Sequence, residues 1–168
     1  MFSNPWVTMI QGVLVLLFGI LALSNPETAI KLLIRFFGVM ITITGISLIV
    51  LNRHKSEENV ATTFWFYFGL INVVIGLVFI INPKFIASFF FILIGLVALI
   101  SGVINLWHQV QVNASYKSIA FIKNGIAVLF GLLILLYPFE GAEAATIVTG
   151  IFAVIYGISA LIASFKME

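Results

Sequence analysis

The residues of this sequence that could do chemistry are a few charged side chains near the starts of two long apolar segments. Glu27, Lys31 and Arg35 follow one another at intervals of four residues, so on a helix they share a face and can form ion pairs along it. Two further carboxylates, Glu140 and Glu143, lie near the start of the last apolar segment. Ionisable side chains in a membrane mark ion paths or buried ion pairs, so these five residues are the first candidates for a site.

An internal repeat relates these charged residues to one another. The segment GVMITITG at 38–45 recurs as GLVALISG at 95–102 and as GIFAVIYG at 150–157, so the copies are offset by 57 and then 55 residues. By the same offsets Lys31 corresponds to Ser88 and Glu143, and a threefold bundle would place these three side chains at one depth. We therefore predict that Glu143, with Glu140, neutralises Lys31 or Arg35. The alternative is that Lys31 and Arg35, about one and two turns into their helix, extend to the headgroups instead.

Glycine marks one face of every predicted helix. Positions seven residues apart differ by only about 20° around a helix, and small residues on such a face allow helix backbones to approach closely in lipid. We interpret this stripe as a helix-packing surface with left-handed crossings, and the alternative is space for a ligand or pore. The packing glycines are Gly12, Gly19, Gly38, Gly45, Gly69, Gly76, Gly95, Gly102, Gly131, Gly150 and Gly157.

Each copy reads as two helices joined by a tight turn at a proline. Pro26, Pro83 and Pro138 are equivalent, and proline suits the first position of a helix, where its missing N–H is not needed. The first two prolines follow Asn25 and Asn82, and asparagine is a good N-cap. The predicted helices cover about 5–23, 26–51, 62–81, 83–107, 119–137 and 142–165, with polar connections at 52–61 and 108–118.

The composition places these helices in a membrane. The chain of 168 residues is 62% hydrophobic and 8% charged, with a mean hydropathy of +1.25, and so few charges could not cover a water-exposed surface. Unbroken apolar runs of this length cross a bilayer as helices, and they lack the alternation of a β-barrel. We predict an all-α membrane bundle of six transmembrane helices, formed by three parallel hairpin repeats (1–57, 58–114 and 115–168) with pseudo-threefold symmetry in one domain, 1–168.

The basic residues favour one orientation in that membrane. The side with both termini and the longer connections carries Arg53, Lys55, Lys117, Lys123 and Lys166, against Lys31, Arg35 and Lys84 on the proline-turn side. Five against three predicts cytoplasmic termini. Ala22-Leu23-Ser24 loosely imitates a signal cleavage site, but no Lys or Arg precedes the first apolar run, which matches helices 3 and 5 position for position. We expect it to be retained.

Several function classes lack their residues here. The chain has no cysteine, its two histidines, His54 and His108, fall in polar connections, and it has no recognisable histidine–carboxylate motif. We therefore expect no catalytic residues, no metal site and no cofactor. A net charge of +2 is too small for a nucleic-acid footprint, which leaves the lipid bilayer and a membrane protein or second copy as expected partners.

The repeated unit, an apolar helix with two glycines seven apart, an Asn-Pro turn and a second such helix, resembles the HdeD family of bacterial inner-membrane proteins. The likeness spans the whole chain, although Asn124 takes the place of the first glycine and Tyr137 that of the turn asparagine in the third copy. The resemblance implies a six-helix protein of the cytoplasmic membrane, and its name-giving member is associated with acid resistance. It implies no catalytic motif.

These observations lead to two hypotheses about function. The first is a non-enzymatic, multi-pass inner-membrane protein that serves the envelope under acid stress by packing with itself or with a membrane partner. The second is a small transporter or channel in which Lys31, Arg35 and Glu143 line a polar path. The polar stripe of the second helix ends in Thr42, glycine and aliphatic residues beyond Arg35, which favours the first hypothesis.

Overall fold

A computed structural model of the chain describes residues 5–53, 60–111 and 119–165, and all of them except three turn residues are helical. The described residues contain no strand, so the predicted all-α class is confirmed. All six helices are long and apolar enough to cross a membrane. They are α1 (Pro5–Ser24), α2 (Pro26–Arg53), α3 (Val60–Ile81), α4 (Pro83–Gln111), α5 (Ile119–Leu136) and α6 (Pro138–Phe165).

Two helix ends differ by four residues from the sequence-based expectation, and the others agree within two residues. Helix α6 begins at Pro138 rather than at Ala142, because this proline starts its helix as Pro26 and Pro83 start theirs. Helix α4 continues to Gln111, four residues into the predicted connection at 108–118, since polar residues can extend a helix beyond the hydrocarbon layer. His54, Lys55, Lys117 and Lys166 lie outside the described residues.

A single residue separates the two helices of each hairpin. The amide of Asn25 donates to the carbonyl of Leu21 and ends α1, while its own carbonyl accepts the amide of Ala29 and starts α2. The Asn25 side chain caps α2, because its Oδ1 accepts the amide of Thr28 at 3.0 Å. Asn82 caps α4 in the same way, accepting the amide of Phe85 at 3.3 Å. Both caps follow from the Asn-Pro pair in the sequence.

The third turn has the same backbone pattern without an asparagine. The amide of Tyr137 donates to the carbonyl of Leu133 at 2.9 Å, and the carbonyl of Tyr137 accepts the amide of Gly141 at 3.0 Å. A tyrosine side chain does not supply the short side-chain oxygen that caps a helix start. The proline and the backbone are therefore sufficient to make this turn.

Two compact units make up the chain. One comprises residues 31–86, which include most of α2, all of α3 and the start of α4. The other comprises residues 1–30 and 87–168, which include α1, the first turn of α2, the rest of α4, α5 and α6. The single-domain interpretation and its repeat boundaries stay predictions.

Large apolar side chains lie on the surface and small residues lie between the helices, which is the reverse of a water-soluble protein. Most of the large aliphatic and aromatic side chains in the described residues are exposed, and six of the eight buried hydrophobic residues are alanine. In lipid the exposed side chains are solvated, and small residues at helix contacts let backbones approach closely. This arrangement suits a bilayer. The buried alanines are Ala22, Ala29, Ala87, Ala142, Ala153 and Ala160.

Candidate functional site

The glycines of α2 lie directly against the glycines of α3. A Cβ added to Gly38 would lie 2.9 Å from the carbonyl oxygen of Gly76, and one added to Gly76 would lie 2.7 Å from that of Gly38. Seven residues on, a Cβ at Gly45 would lie 2.7 Å from the carbonyl oxygen of Gly69. Real Cβ atoms do not approach other atoms this closely, so the backbone spacing of α2 and α3 requires glycine at these positions.

Helices α4 and α5 meet in the same way. A Cβ at Gly95 would lie 3.1 Å from the carbonyl oxygen of Gly131, and one at Gly131 would lie 2.9 Å from that of Gly95. A Cβ at Gly102 would lie 2.7 Å from the Val128 side chain and 3.2 Å from the carbonyl oxygen of Asn124. Asn124, which takes the place of a glycine in the third copy, is buried in this contact region.

The last helix packs on the first through the remaining glycines. A Cβ at Gly19 would lie 3.0 Å from the carbonyl oxygen of Gly150, and one at Gly12 would lie 3.2 Å from that of Gly157. A Cβ at Gly157 would also lie 2.9 Å from the backbone nitrogen of Leu16. Helices α6 and α1 are far apart in sequence, so this contact joins the two ends of the repeat array.

The three interfaces are equivalent residue by residue. Val73, Val128 and Leu16 contact the second glycine of α2, α4 and α6 respectively, and these residues are related by the offsets of 57 and 55 residues. Each even-numbered helix thus packs on the odd-numbered helix of the next copy, and α6 takes α1. The helices that pack through their glycines therefore belong to different copies and are not the two helices of one hairpin. Glycine spacing marked the faces but did not indicate which helices would pair.

The charged residues of α2 lie differently from its glycines. Gly38 is buried and Lys31 is half-buried, but Arg35 is exposed. The sequence placed all of them on one inward face. Arg35 lies at the edge of the stripe, about 60° from Gly38, and its long side chain can leave the contact region. On α6, Glu143 is half-buried and Glu140 exposed.

The candidate charge pair has its members in different units. Lys31 and Arg35 belong to the unit of residues 31–86, and Glu140 and Glu143 belong to the other. Pairing between these two sets therefore stays a prediction. In the part of the chain that the structure describes, no group of three His, Cys, Asp or Glu side chains is arranged to hold a metal ion.

A groove that sequence reasoning missed lies among α4, α5 and α6. Its volume is about 370 Å³, and its walls are almost entirely apolar. Glu140 is the one charged residue among its lining residues. The lining residues are Phe91, Phe130, Leu133, Ile134, Tyr137, Glu140, Gly141, Ala144 and Ala145. The signal that could have indicated it is the run of small residues at the start of α6, where the first two copies have larger ones.

Comparison with known proteins gives a family. One family model, described as a short repeat of unknown function (DUF308), matches three times, at residues 10–81, 67–123 and 124–168. The matches together extend from α1 to the C-terminus and support the threefold internal repeat. No curated protein and no solved structure shows significant similarity to the chain. On the strength of three matches that span most of its length, the chain belongs to the DUF308 short-repeat family.

Proposed function

We propose that this chain is a non-enzymatic, multi-pass protein of the bacterial cytoplasmic membrane, of the HdeD type. It serves the envelope under acid stress through helix packing, within itself and with a second copy or another membrane protein. The resemblance of the glycine and Asn-Pro pattern to the HdeD family supports the location and the stress role. Membership of the repeat family supports the three-copy, six-helix architecture.

The observation that carries this proposal is the use of the glycine stripe. All eleven packing glycines are buried, and each lies against a helix of the same chain. The repeated residues are thus used to hold the helices together in three pairs, α2 with α3, α4 with α5 and α6 with α1. The surface left for a partner is the exposed apolar exterior, including Phe36, Phe37 and Val39 of α2.

The geometry of α2 supports packing over transport. Beyond Arg35 the stripe continues through Gly38, Thr42 and Gly45. The Thr42 hydroxyl donates to the carbonyl of Gly38 at 2.8 Å and lies against Gly76 of α3. A face covered by a neighbouring helix does not line a hydrated path. The transporter hypothesis would require the polar stripe to face water instead.

A genetic experiment tests the stress role. In the source bacterium we would delete the gene and measure survival after acid challenge, then complement with the wild type, Gly45→Leu or Gly125→Leu. A side chain at Gly45 would collide with the α3 backbone, whereas a Cβ at Gly125 meets nothing within 4 Å. We expect rescue by the wild type and Gly125→Leu, and failure of Gly45→Leu. Unchanged survival of the deletion strain would contradict the acid-stress role.

Cysteine accessibility separates packing from transport. The chain has no native cysteine, so single cysteines at positions 31, 35, 38, 42 and 45 of α2 and 143, 146 and 150 of α6 can be probed with a membrane-impermeant thiol reagent. We expect labelling to stop at position 35. Labelling that continues past position 42 would indicate a water-filled interior and would favour the transporter hypothesis.

A further inference from the structure

The groove among α4, α5 and α6 exists because the third copy departs from the first two. Where it has Ala144, the others have Leu32 and Phe89, and where it has Ala145 they have Leu33 and Phe90. Ala144 and Ala145 form one wall of the groove, so the third copy has small side chains there and the first two copies have large ones. The space therefore results from a local loss of side-chain volume in an otherwise repeated helix.

The opposite wall and the floor are aromatic and aliphatic. A Cβ at Gly141 would lie 3.2 Å from Cδ1 of Phe91 and 3.6 Å from Cγ1 of Ile134, so these two residues form the floor beneath it. Leu133 and Phe130 continue the wall along α5. From Tyr137 to Phe130 is seven residues, or about 10 Å of helix, which is long enough for part of an acyl chain.

The polar end of the groove lies at the edge of the membrane. Tyr137 falls between the two candidate spans Ile119–Leu136 and Pro138–Phe165, and Glu140 is in the first turn of the second. Tyrosine is common at the membrane–water interface, where its ring is in lipid and its hydroxyl in water. With the bilayer placed over these candidate spans, the groove would extend from headgroup level into the hydrocarbon layer, as a lipid does.

The charge at this end is also specific to the third copy. Glu140 corresponds to Thr28 and Phe85, so neither of the other copies has a carboxylate there. A carboxylate repels a lipid phosphate and attracts an ammonium group that can donate hydrogen bonds. The Tyr137 hydroxyl, in the same lining, can donate to a phosphate or ester oxygen. A ligand that places a cation at Glu140 and an acyl chain along Phe130 would be a lipid with a cationic headgroup.

We propose that this groove is a binding site for one phospholipid with a primary ammonium headgroup, such as phosphatidylethanolamine. Its ammonium group pairs with Glu140, and an acyl chain lies over Ala144 and Ala145 against Leu133 and Phe130. Sites for small molecules combine mostly apolar walls with a few placed polar groups, and this lining has that composition. The proposal is independent of the acid-stress role.

Native mass spectrometry of the full chain tests the proposal. The protein would be released from nanodiscs that contain equal amounts of phosphatidylethanolamine, phosphatidylcholine and phosphatidylglycerol, and the retained lipids counted. We expect one retained phosphatidylethanolamine, preferred over the other two. In Glu140→Gln that preference should fall roughly three- to tenfold, the range of a partly solvated charge-assisted contact. The choline headgroup keeps the positive charge but has no N–H donor, so it separates hydrogen bonding from charge alone.

A second variant tests the acyl-chain part of the site. Ala145→Phe restores the residue of the second copy, Phe90, and should abolish the retained lipid by filling the groove. Ala163→Phe is the matched control, because Ala163 is exposed on the same helix and outside the lining. It should retain lipid as the wild type does, and circular dichroism would verify that both variants fold.

Several results would overturn the proposal. Equal retention of the three lipids, or none retained, would mean that this face contacts only bulk lipid. Preference for phosphatidylglycerol, or an unchanged preference in Glu140→Gln, would contradict pairing with Glu140. Retention in Ala145→Phe equal to that in Ala163→Phe would place the lipid elsewhere on the protein. If Ala145→Phe does not fold, Glu140→Gln decides alone, since its side chain is exposed.

Discussion

At the scale of single residues, the absence of a side chain is what matters most in this protein. Gly38, Gly45, Gly69 and Gly76 let α2 and α3 approach so closely that an added Cβ would lie 2.7–2.9 Å from a carbonyl oxygen of the other helix. Gly125 is different, because a Cβ there would meet nothing within 4 Å. The repeat in the sequence separates these two kinds of glycine, since Gly125 falls outside the repeated positions.

Alanine at Gly45 should therefore destabilise the protein, and alanine at Gly125 should not. The new Cβ at Gly45 would meet backbone atoms of α3, the Gly69 oxygen at 2.7 Å and the Val73 nitrogen at 2.8 Å, which move only with the whole helix. We expect a loss of about 1–3 kcal/mol in the free energy of unfolding, measured by denaturant titration in mixed micelles. Because alanine favours a helix over glycine, Gly125→Ala should be neutral or stabilising. An equal loss for Gly125→Ala would show that the loss at Gly45 does not come from the contact with α3.

At the scale of helices, one interface is used three times with small differences. The residues that cover the second glycine of each even-numbered helix are equivalent, but the atoms nearest to an added Cβ differ. At Gly45 they include the backbone oxygen of Gly69, and at Gly157 they belong to the backbone and Cβ of Leu16. At Gly102 the nearest atom is in the Val128 side chain, and backbone atoms lie at 3.1 Å or more.

These differences predict an order of effects for three equivalent substitutions. Gly45→Ala and Gly157→Ala should cost more than Gly102→Ala, because a side chain can adjust where a backbone cannot. We expect Gly102→Ala to lose about 1 kcal/mol less than the other two in the same unfolding assay. A larger loss for Gly102→Ala than for Gly45→Ala would contradict the order.

The helix caps at the proline turns give a second test at this scale. Removing the Asn25 side chain leaves the amide of Thr28 without its 3.0 Å acceptor, and such a loss typically costs 0.5–2 kcal/mol, or about 1 kcal/mol here. The corresponding bond of Asn82 is longer, at 3.3 Å, so Asn82→Ala should cost less. Ser24→Ala is a neighbouring control, since its hydroxyl donates to the carbonyl of Leu21 at the end of α1 and does not cap α2. Equal stability of Asn25→Ala and Ser24→Ala would argue against capping.

At the scale of the whole molecule, the chain has large apolar side chains outside and small residues at its helix contacts. Six of the described helices are long and apolar enough to be membrane spans. We predict from this even number that both termini lie on one side and the proline turns on the other. Which side faces the cytoplasm is a separate question, and the balance of basic residues predicts that the termini do.

Reporter fusions and cysteine labelling should show this topology. Green fluorescent protein at either terminus should fluoresce, because both termini are expected in the cytoplasm, where it folds. A cysteine in place of Asn82, which is exposed in its turn, should react with an impermeant reagent added to intact spheroplasts. Opposite results for the two termini would contradict six spans. Two dark fusions with an unlabelled turn would reverse the orientation instead.

Much of the fold follows from the sequence alone, because the signals are local. Length and apolarity determine a membrane span, and an Asn-Pro pair determines a helix start within a few residues. The helix ends were accurate at the first two turns for this reason. At the third turn the expected start of α6 was four residues late, since Tyr137 offers no capping side chain and only Pro138 marks the boundary.

The helix partners and the groove were decided by the tertiary structure. Both helices of every copy have a face of small residues, so several helix pairings are possible. Which pairing forms depends on contacts between residues that are distant in sequence. The exposure of Arg35 depends in the same way on where α3 lies against α2. The groove required Phe91, Leu133 and Ala145, residues far apart in the chain, to meet. The sequence by itself determined the repeat, the spans and the turns, whereas the contacts between helices determined which surfaces were left open for a ligand.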